Sequence, residues 1–339
     1  MDFLQYRISE DDENRRLDRV LRKFLKDKLS LSDIYKSIRK GLIKVNNQKT
    51  KENYRTQKND IIFIDKFLLK TLEKNDDVKD YKNKENSPNI PNIPNLEIIF
   101  ENQYVKIINK PGNISVQKSK KDEIALDDII KNQYQPKDKS LSFLPGPLHR
   151  LDKKTTGLLA FSNNLIGARE FSNLLQNHSI TKVYLAILEG HLEKNQKWID
   201  LISKESNEKS KYNTVKVNDK YMGSKDITKN QKEAITEVYP IKTGFCENKK
   251  ITFDKIIIKT GRTHQIRSQC AFHGFPLLWD SAYNKNTSLT KNVEFFLHSY
   301  KIEISENNIL QLPKELIAPL PKNFEKFIKK YLSLENFAL

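Results

Sequence analysis

The sequence predicts an α+β protein in which a small αα-β module precedes a mixed, largely antiparallel sheet with flanking helices. Two apolar patterns of helical period near the start, followed by short β-branched runs, predict the module. After residue 96, many β-branched runs separated by few helical segments favour one large sheet over alternating βαβ units. A polar segment divides the two regions, and 339 residues suffice for two domains.

The module is predicted to contain two helices and two strands. The apolar positions of the first helix are Leu17, Val20, Leu21, Phe24 and Leu25, and its cationic edge comprises Arg15, Arg19, Arg22 and Lys26. A second helix carrying Ile34 and Ile38 would begin at an N-cap on Ser32 and end at Gly41. Strands would follow over 42–46 and 61–64.

A linker is predicted over residues 70–95, which are rich in Asn, Lys, Asp and Pro and have no apolar period. This composition predicts disorder. Pro88, Pro91 and Pro94 recur every third residue, as in an extended spacer. We therefore predict a module over 1–69, a disordered linker over 70–95 and a second domain over 96–335.

The second domain is predicted to begin with a β-hairpin over 97–109, where β-branched residues are frequent. A helix over 168–176 and strands over 183–188 and 252–259 follow from their apolar patterns. The lysine-rich stretch 204–232 is polar, and it indicates hairpins and exposed loops rather than a third domain.

The charge of the chain favours a polyanionic partner, either nucleic acid or an acidic membrane surface, because the formal net charge is +17 and the pI is near 9.5. The sequence has no apolar run of about 18 residues and does not start like a signal peptide, so we expect a cytoplasmic protein. Cys246 and Cys270 are too few for a disulfide framework, and the histidines lack metal-ligand spacing. No metal is expected.

One carboxylate lies in a basic segment, HRLDKKTTG at 149–157, where Asp152 is flanked by Arg150, Lys153 and Lys154. Nearby positive charge favours the ionised carboxylate, which could act as a nucleophile or a base. The same cations could hold RNA phosphates. For such a segment taken alone, a surface ion pair on a loop is the alternative interpretation.

Two further motifs follow this segment, KVYLA at 182–186 and GRTHQIR at 261–267. In this order the three resemble the H-R-L-D-x-x-T-S-G, K-x-Y and G-R-T-H-Q-I-R motifs of the large-subunit ribosomal RNA pseudouridine synthases, the RluA/RluC/RluD family. Thr156 replaces the usual Ser and keeps its hydroxyl. Weaker matches are Lys110-Pro111-Gly112, 274–277, Asp280, Tyr283 and 297–299. The resemblance spans about 96–331, and its departures are Gln117, Gln269, Trp279 and Asn284.

The resemblance implies the pseudouridine synthase fold and an isomerase that cleaves the N-glycosidic bond of uridine, turns the uracil and rejoins the ribose to carbon 5. No redox change or added group is needed, so no cofactor is expected. Asp152 would act as a nucleophile or as a base that helps to form a glycal. Tyr184 would stack on the target base and could take the carbon 5 proton, and Arg262 would pair with Asp152.

Further residues are expected to contact RNA. Arg150 would fill the gap left when the uridine is flipped out. The other candidates in this domain are Lys182, His264 and Arg267. The first 65 residues resemble the RNA-binding module named after ribosomal protein S-four, through R-L-D-x-x-L at 16–21 and the pattern that follows, although Asp33 and Asn47 replace its usual Arg and Gly. Its expected contacts, chiefly to phosphates, are Arg15, Arg19, Lys36, Arg39 and Lys40.

The expected function is therefore pseudouridine formation in RNA, in large-subunit ribosomal RNA or its precursor. Transfer RNA is the alternative substrate. The alternative class is a catalytically inert RNA-binding or ribosome-associated protein, which would bind RNA in a salt-dependent way without isomerising it. A nucleosidase or glycoside hydrolase is disfavoured, because such enzymes typically pair two carboxylates and these motifs supply only Asp152.

Overall fold

The computed structural model describes residues 2–25, 29–69, 96–120, 123–134, 140–204, 214–219, 231–284, 294–305 and 307–334. The chain divides into two compact units. The first unit is drawn from 1–94, 129–146 and 162–168, and the second from 95–128, 147–161 and 169–339. The linker predicted over 70–95 lies outside the described residues. The domain limits at 69 and 96 stay predictions.

The first unit contains the two helices and two strands that the sequence predicts for the module, and one strand more. Its elements are β1 (Phe3–Arg7), α1 (Leu17–Phe24), α2 (Leu31–Arg39), β2 (Ile43–Val45) and β3 (Ile61–Asp65). The strands form an antiparallel sheet in the order β1-β3-β2. The apolar face of α1 is buried with that of α2 and the sheet, so the predicted helical period is confirmed. The resemblance to the S-four-type module stays a prediction.

The start of α2 differs from the prediction by two residues. Ser30, and not Ser32, is the N-cap, since its side chain accepts the Asp33 amide hydrogen at 3.2 Å. The Ser30 hydroxyl also donates to the Asp33 carboxylate at 2.6 Å, an exchange similar to a capping box. The predicted helix end is confirmed, because Gly41 follows α2 with φ +73°.

The remaining elements follow in chain order. The strands are β4 (Glu97–Glu101), β5 (Val105–Lys110), β6 (Thr156–Ser162), β7 (Ile180–Glu189), β8 (Gln196–Lys204), β9 (Val215–Asp219), β10 (Gln231–Cys246), β11 (Lys249–Ile258), β12 (Leu297–Ile304) and β13 (Glu315–Ile317). The helices are α3 (Leu126–Gln133), α4 (Leu165–Gln176), α5 (Gln265–Phe272) and α6 (Lys322–Leu332). The predicted hairpin is β4–β5, and β7 contains the strand predicted over 183–188. The strand predicted over 252–259 is β11, which starts earlier, at Lys249, and ends one residue earlier, at Ile258.

These ten strands, counted within the described ranges, form one mixed sheet in the order β4-β5-β6-β12-β7-β11-β10-β8-β9, with β13 on β12. The β6–β12 pairing is parallel, and the β7–β11, β7–β12 and β10–β11 pairings are antiparallel. The predicted α+β class is confirmed. The core packed around α6 includes Leu185, Ile187 and Phe253 from the central strands. Among the described helices, none is long and apolar enough to cross a membrane.

Candidate active site

The loop that carries Asp152 is fixed to the centre of the sheet by a close backbone approach. Gly157 pairs with Ser299 on β12, and Ser299 pairs with Tyr184 on β7. A Cβ atom at Gly157 would lie 2.2 Å from the Ser299 carbonyl oxygen, and Gly157 has φ +103°, so only glycine fits there. Because Asp152 precedes Gly157 by five residues, this register brings the loop and Tyr184 to the same part of the sheet.

Asp152 makes an ion pair with Arg267 on α5. Arg267 Nη1 donates to Asp152 Oδ2 at 3.0 Å. The other edge of the guanidinium is bound by a second carboxylate, with Arg267 Nε 2.7 Å from Asp280 Oδ2 and Nη2 2.9 Å from Asp280 Oδ1. The side chain of Asp280 is 2% exposed, that of Arg267 10% and that of Asp152 25%. Asp152 is therefore the member of this group that faces solvent.

Two aromatic rings hold the guanidinium plane. The Arg267 Cζ atom lies 5.1 Å from the centroid of the Tyr283 ring and 4.8 Å from that of the Phe295 ring, which is cation–π geometry. Burial alone would lower the pKa of Arg267, but the hydrogen bonds and charge of Asp280, and then the charge of Asp152, raise it. Arg267 is a permanent cation in this site.

The second oxygen of Asp152 faces a neutral histidine. His264 Nε2 lies 3.8 Å from Asp152 Oδ1, which is too far for a hydrogen bond. Burial lowers the pKa of His264, against the opposing charge of Asp152. Tyr283 Oη accepts the Val215 amide hydrogen at 3.0 Å and can donate to His264 Nδ1 at 2.9 Å, which would leave the ring proton on Nε2. Asp152 Oδ1 is thus available to a reacting group.

A fully buried lysine, Lys110, binds backbone carbonyl groups of the loop that carries Asp152. Lys110 Nζ donates to the carbonyl oxygens of Pro111, Lys153 and Thr155 at 2.9, 3.0 and 2.8 Å. Burial lowers the pKa of Lys110 to about 7, against the charge of Asp152. Three carbonyl acceptors require three N–H donors, which only the ammonium form has, so the geometry favours the charged state.

The hydroxyl of Thr156, the threonine that replaces the usual serine, contacts β12. Thr156 Oγ1 lies 2.8 Å from His298 Nδ1, and His298 Nε2 lies 3.2 Å from the Ala318 carbonyl oxygen. Because Nε2 must donate to a carbonyl, Nδ1 accepts the threonine hydroxyl. Burial lowers the pKa of His298 to about 4, so the ring is neutral at physiological pH. The start of β6 is therefore bound to β12 by a side chain as well as by the backbone.

Tyr184 and Lys182 lie on the same face of β7, since alternate residues of a strand share a face. Tyr184 is buried, and burial raises the pKa of its phenol. Burial lowers the pKa of the Lys182 ammonium, which has no hydrogen bond or ion pair within the described part of the chain. A Cβ atom at Gly261 would lie 3.5 Å from Lys182 Nζ, so this ammonium lies beside the GRTHQIR segment.

Comparisons with known proteins agree with this geometry. A family model for RNA pseudouridylate synthase matches residues 104–272. Ribosomal large subunit pseudouridine synthase D of Borreliella burgdorferi is 30% identical over 254 residues, which cover 72% of this chain and 71% of that protein. The chain belongs to the RNA pseudouridylate synthase family. Ribosomal large subunit pseudouridine synthase C of Rickettsia felis is also 30% identical, over 93% of this chain and 96% of that protein.

The family assigns an isomerase activity to the chain. A solved human structure, RNA Pseudouridylate Synthase Domain Containing 1, aligns with a TM-score of 0.55 at 22% identity, over 68% of this chain and 85% of that one. This similarity concerns the fold alone, and it confirms the predicted pseudouridine synthase fold.

The pairing predicted between Arg262 and Asp152 is wrong, because Arg267 occupies that place. Arg262 Nε instead donates to the Glu233 carbonyl oxygen at 2.8 Å. Gln265 Oε1 accepts the Arg262 amide hydrogen at 3.0 Å. This contact closes the turn that leads into α5, which begins at Gln265. Arg267, predicted to contact RNA, is buried against Asp152 and Asp280. Both arginines belong to one motif, and only the position of this turn decides which of them reaches the carboxylate.

The structure also shows where the other predicted RNA contacts lie. In the second unit, Arg150 is exposed, whereas His264 and Lys182 are half-buried. In the first unit, Arg15 donates to Ser142 Oγ at 2.6 Å and is half-buried. The remaining four candidates have exposed side chains on or directly after α1 and α2; these are Arg19, Lys36, Arg39 and Lys40.

Several residues of the site had no role in the prediction. Asp280, Lys110 and Tyr283 were noted only as weaker matches to the family pattern, and Phe295 was not noted. The signal for Asp280 is a carboxylate close in sequence to a motif with two arginines. The signal for Lys110 is a lysine at the end of a strand that contains Val105, Ile107 and Ile108. Neither signal identifies the partner, because each partner is brought close only by the folded sheet.

Proposed function

We propose that this chain converts uridines of large-subunit ribosomal RNA into pseudouridines. The observation that carries the proposal is an Asp152 carboxylate held through Oδ2 by Arg267, with Oδ1 free, on a loop next to Tyr184 in a pseudouridylate synthase fold. The named activities of the relatives in Borreliella burgdorferi and Rickettsia felis support the choice of ribosomal RNA. The predicted cytoplasmic location stays a prediction.

The reaction needs one carboxylate that is ionised, oriented and exposed. Asp152 Oδ1 would attack the sugar or base as a nucleophile, or take a proton from the ribose on the way to a glycal; the site geometry serves both routes. The bond between ribose C1′ and uracil N1 breaks, the uracil turns, and its carbon 5 forms the new bond to C1′ and then loses its proton. On the glycal route, the proton taken from the ribose returns to the ribose. The freed N1 gains a proton, so the net change is an isomerisation.

Tyr184 would stack on the target uracil. Because burial raises the pKa of its phenol, the group keeps its proton at neutral pH, which favours stacking and hydrogen-bond donation over proton removal from carbon 5. Lys182 would place its ammonium against an anionic or carbonyl group of the bound nucleotide, which would supply the acceptor that the described residues do not. Arg150, exposed on the Asp152 loop, would fill the gap left by the flipped uridine.

The proposal is tested by mapping pseudouridines in cellular RNA after deletion of the gene, with complementation by the wild type or by Asp152→Asn. We expect a discrete set of large-subunit ribosomal RNA sites to disappear, and to return with the wild type but not with the variant. An unchanged map would overturn the proposal in favour of an inert RNA-binding protein. Loss of transfer RNA sites alone would overturn the choice of substrate.

A further inference from the structure

Asp280 is the second carboxylate of the site, and its contacts differ from those of Asp152. It takes two hydrogen bonds from Arg267, at 2.7 and 2.9 Å, whereas Asp152 takes one at 3.0 Å. Asp280 Oδ1 also accepts the Ala282 amide hydrogen at 3.1 Å, so its carboxylate is fixed by the local backbone. Its side chain is 2% exposed, so bulk water does not compete for these contacts.

The planar guanidinium has two forks, Nε–Nη2 and Nη1–Nη2, and each can bind a carboxylate through both oxygens. If a fork held Asp152 in this way, both of its oxygens would be engaged and neither would be free to react. Asp280 occupies the Nε–Nη2 fork, and the rings of Tyr283 and Phe295 hold the plane. In this orientation Arg267 donates to Asp152 through Nη1 alone, which leaves Asp152 Oδ1 open.

The charges lead to the same conclusion. Arg267 alone beside Asp152 would neutralise the carboxylate and make it a weaker nucleophile and base. With Asp280 present, the three groups carry a net charge of −1, so the reacting carboxylate keeps its anionic character. The neighbouring His264 is kept neutral by burial and does not alter this balance.

We propose that Asp280 is a positioning residue for the isomerisation, which holds Arg267 so that Asp152 is oriented through one oxygen and reactive through the other. This inference rests on the proposed function. A purely structural ion pair would also be buried. Its cation would not have to contact a second carboxylate that faces solvent, as Arg267 contacts Asp152.

The test is the single-turnover rate of Asp280→Asn and Asp280→Glu on an RNA that the wild type modifies. We expect both variants to bind RNA as the wild type does but to react about 100-fold more slowly, the loss expected when a reacting group is displaced by about 1 Å. Asp280→Glu keeps the charge and therefore reports on position even if Asp280→Asn folds poorly. Melting temperatures would show which variants are folded.

The matched control is Asp200→Asn, which also removes a buried carboxylate that contacts α5. Asp200 accepts from Gln269 at 2.6 Å and lies 3.0 Å from His273, away from Arg267. We expect this variant to lose stability without a comparable loss of rate per folded molecule. A folded Asp280→Glu that reacts at the wild-type rate would overturn the inference.

A double variant separates positioning from general structural damage. If Asp280 acts through Arg267, the Arg267→Lys/Asp280→Asn variant should react no more slowly than Arg267→Lys alone, because coupled residues are not additive. Multiplied losses would overturn the inference. A wild type that modifies no RNA would instead refute the proposed function.

Discussion

Arg267 serves two carboxylates with different parts of one guanidinium, and a lysine could not do the same. The ammonium of lysine is a compact charge without a planar fork, so it can satisfy Asp280 or Asp152 but cannot fix the angle between them. The shape of the cation therefore matters as much as its charge. Arg262, which binds a backbone carbonyl, has no comparable constraint.

This difference gives a prediction for two lysine substitutions. Arg267→Lys should lower the single-turnover rate by about 100-fold, because Asp152 loses its fixed orientation. Arg262→Lys keeps a donor near the Glu233 carbonyl and should have a much smaller effect. Rates on the same RNA at saturating enzyme check the prediction, and equal losses in the two variants would contradict it.

Residue-level prediction relies on signals that are local in sequence. Asp152 was predicted because a carboxylate flanked by cations lies in a segment that resembles a family motif. The partner of Asp152 could not, since Arg262 and Arg267 lie in the same motif and the turn held by Gln265 selects between them. Lys110 is 43 positions from Lys153, so its contact with that carbonyl depends on how β5 and β6 align in the sheet.

At the scale of elements, Lys110 joins the end of β5 to the turn before β6. Its ammonium satisfies three carbonyl groups, two of which belong to the Asp152 loop. Without it, the buried Thr155 carbonyl and the partly buried Pro111 and Lys153 carbonyls would lose their donor. The loop conformation therefore depends on a side chain from another strand.

Replacement of this side chain should destabilise the protein. Lys110→Met should lower the free energy of unfolding by roughly 3 kcal/mol, because buried acceptors lose their donor. The control is Lys106→Met on the same strand, which breaks a partly exposed ion pair with Glu101 at 3.1 Å and should cost less than about 1 kcal/mol. Denaturant unfolding checks both values, and equal losses would contradict the role of Lys110.

A buried carboxyl group, that of Asp254, lies where α5 packs on the sheet. Asp254 on β11 is fully buried, and neither of its carboxylate oxygens has a hydrogen-bond partner among the described residues. Burial raises its pKa well above the ordinary value. The buried thiol of Cys270 on α5 interacts with it electrostatically. A charged carboxylate would be costly here, so the neutral acid is the form that packs.

The sign of the resulting pH dependence follows from linkage. The unfolded carboxyl titrates near 3.9, and the folded one at higher pH, so in between the folded state binds more protons. The stabilising contribution is complete below the unfolded pKa and is lost as pH rises through the folded pKa. Asp254→Asn should therefore become more stable relative to the wild type between pH 5 and pH 8. Melting curves check this, and a constant difference would contradict it.

Local sequence patterns predicted individual helices and strands but not which strands pair in the sheet. The helices α1, α2 and α4, the β4–β5 hairpin and the strands now seen as β7 and β11 follow from apolar period and β-branched residues, whereas α3, α5 and α6 were not predicted. The strand β1 was not predicted, and the cap of α2 was placed at Ser32 because both serines precede the apolar run; the exchange between Ser30 and Asp33 decides between them. The order of the large sheet joins strands far apart in sequence, which local patterns do not encode.

At the scale of the whole molecule, the excess of positive charge would attract RNA before any specific contact forms. A deletion of the first 65 residues would not isolate its effect. In the first unit, buried Asp12 accepts from the Ser140 hydroxyl and from the amides of Leu141 and Ser142 at 2.8, 2.7 and 3.0 Å. The deletion would leave these donors unsatisfied, so loss of binding could come from damaged structure. Substitution of exposed cations avoids this problem.

The last prediction uses two such substitutions of equal charge. One variant replaces the four exposed candidates of the first unit by alanine, namely Arg19, Lys36, Arg39 and Lys40. The other replaces four exposed lysines of α6, namely Lys322, Lys326, Lys329 and Lys330. Each phosphate contact contributes about 0.7 to 0.9 to the slope of log affinity against log salt, so the first variant should reduce the slope by roughly 3.

The second variant changes the net charge equally but removes no proposed contact, so its slope should change much less. RNA binding measured over a range of salt concentrations checks both slopes. Equal changes would mean that RNA responds to the overall charge of the molecule, and the four residues of the first unit would then not be its local phosphate contacts.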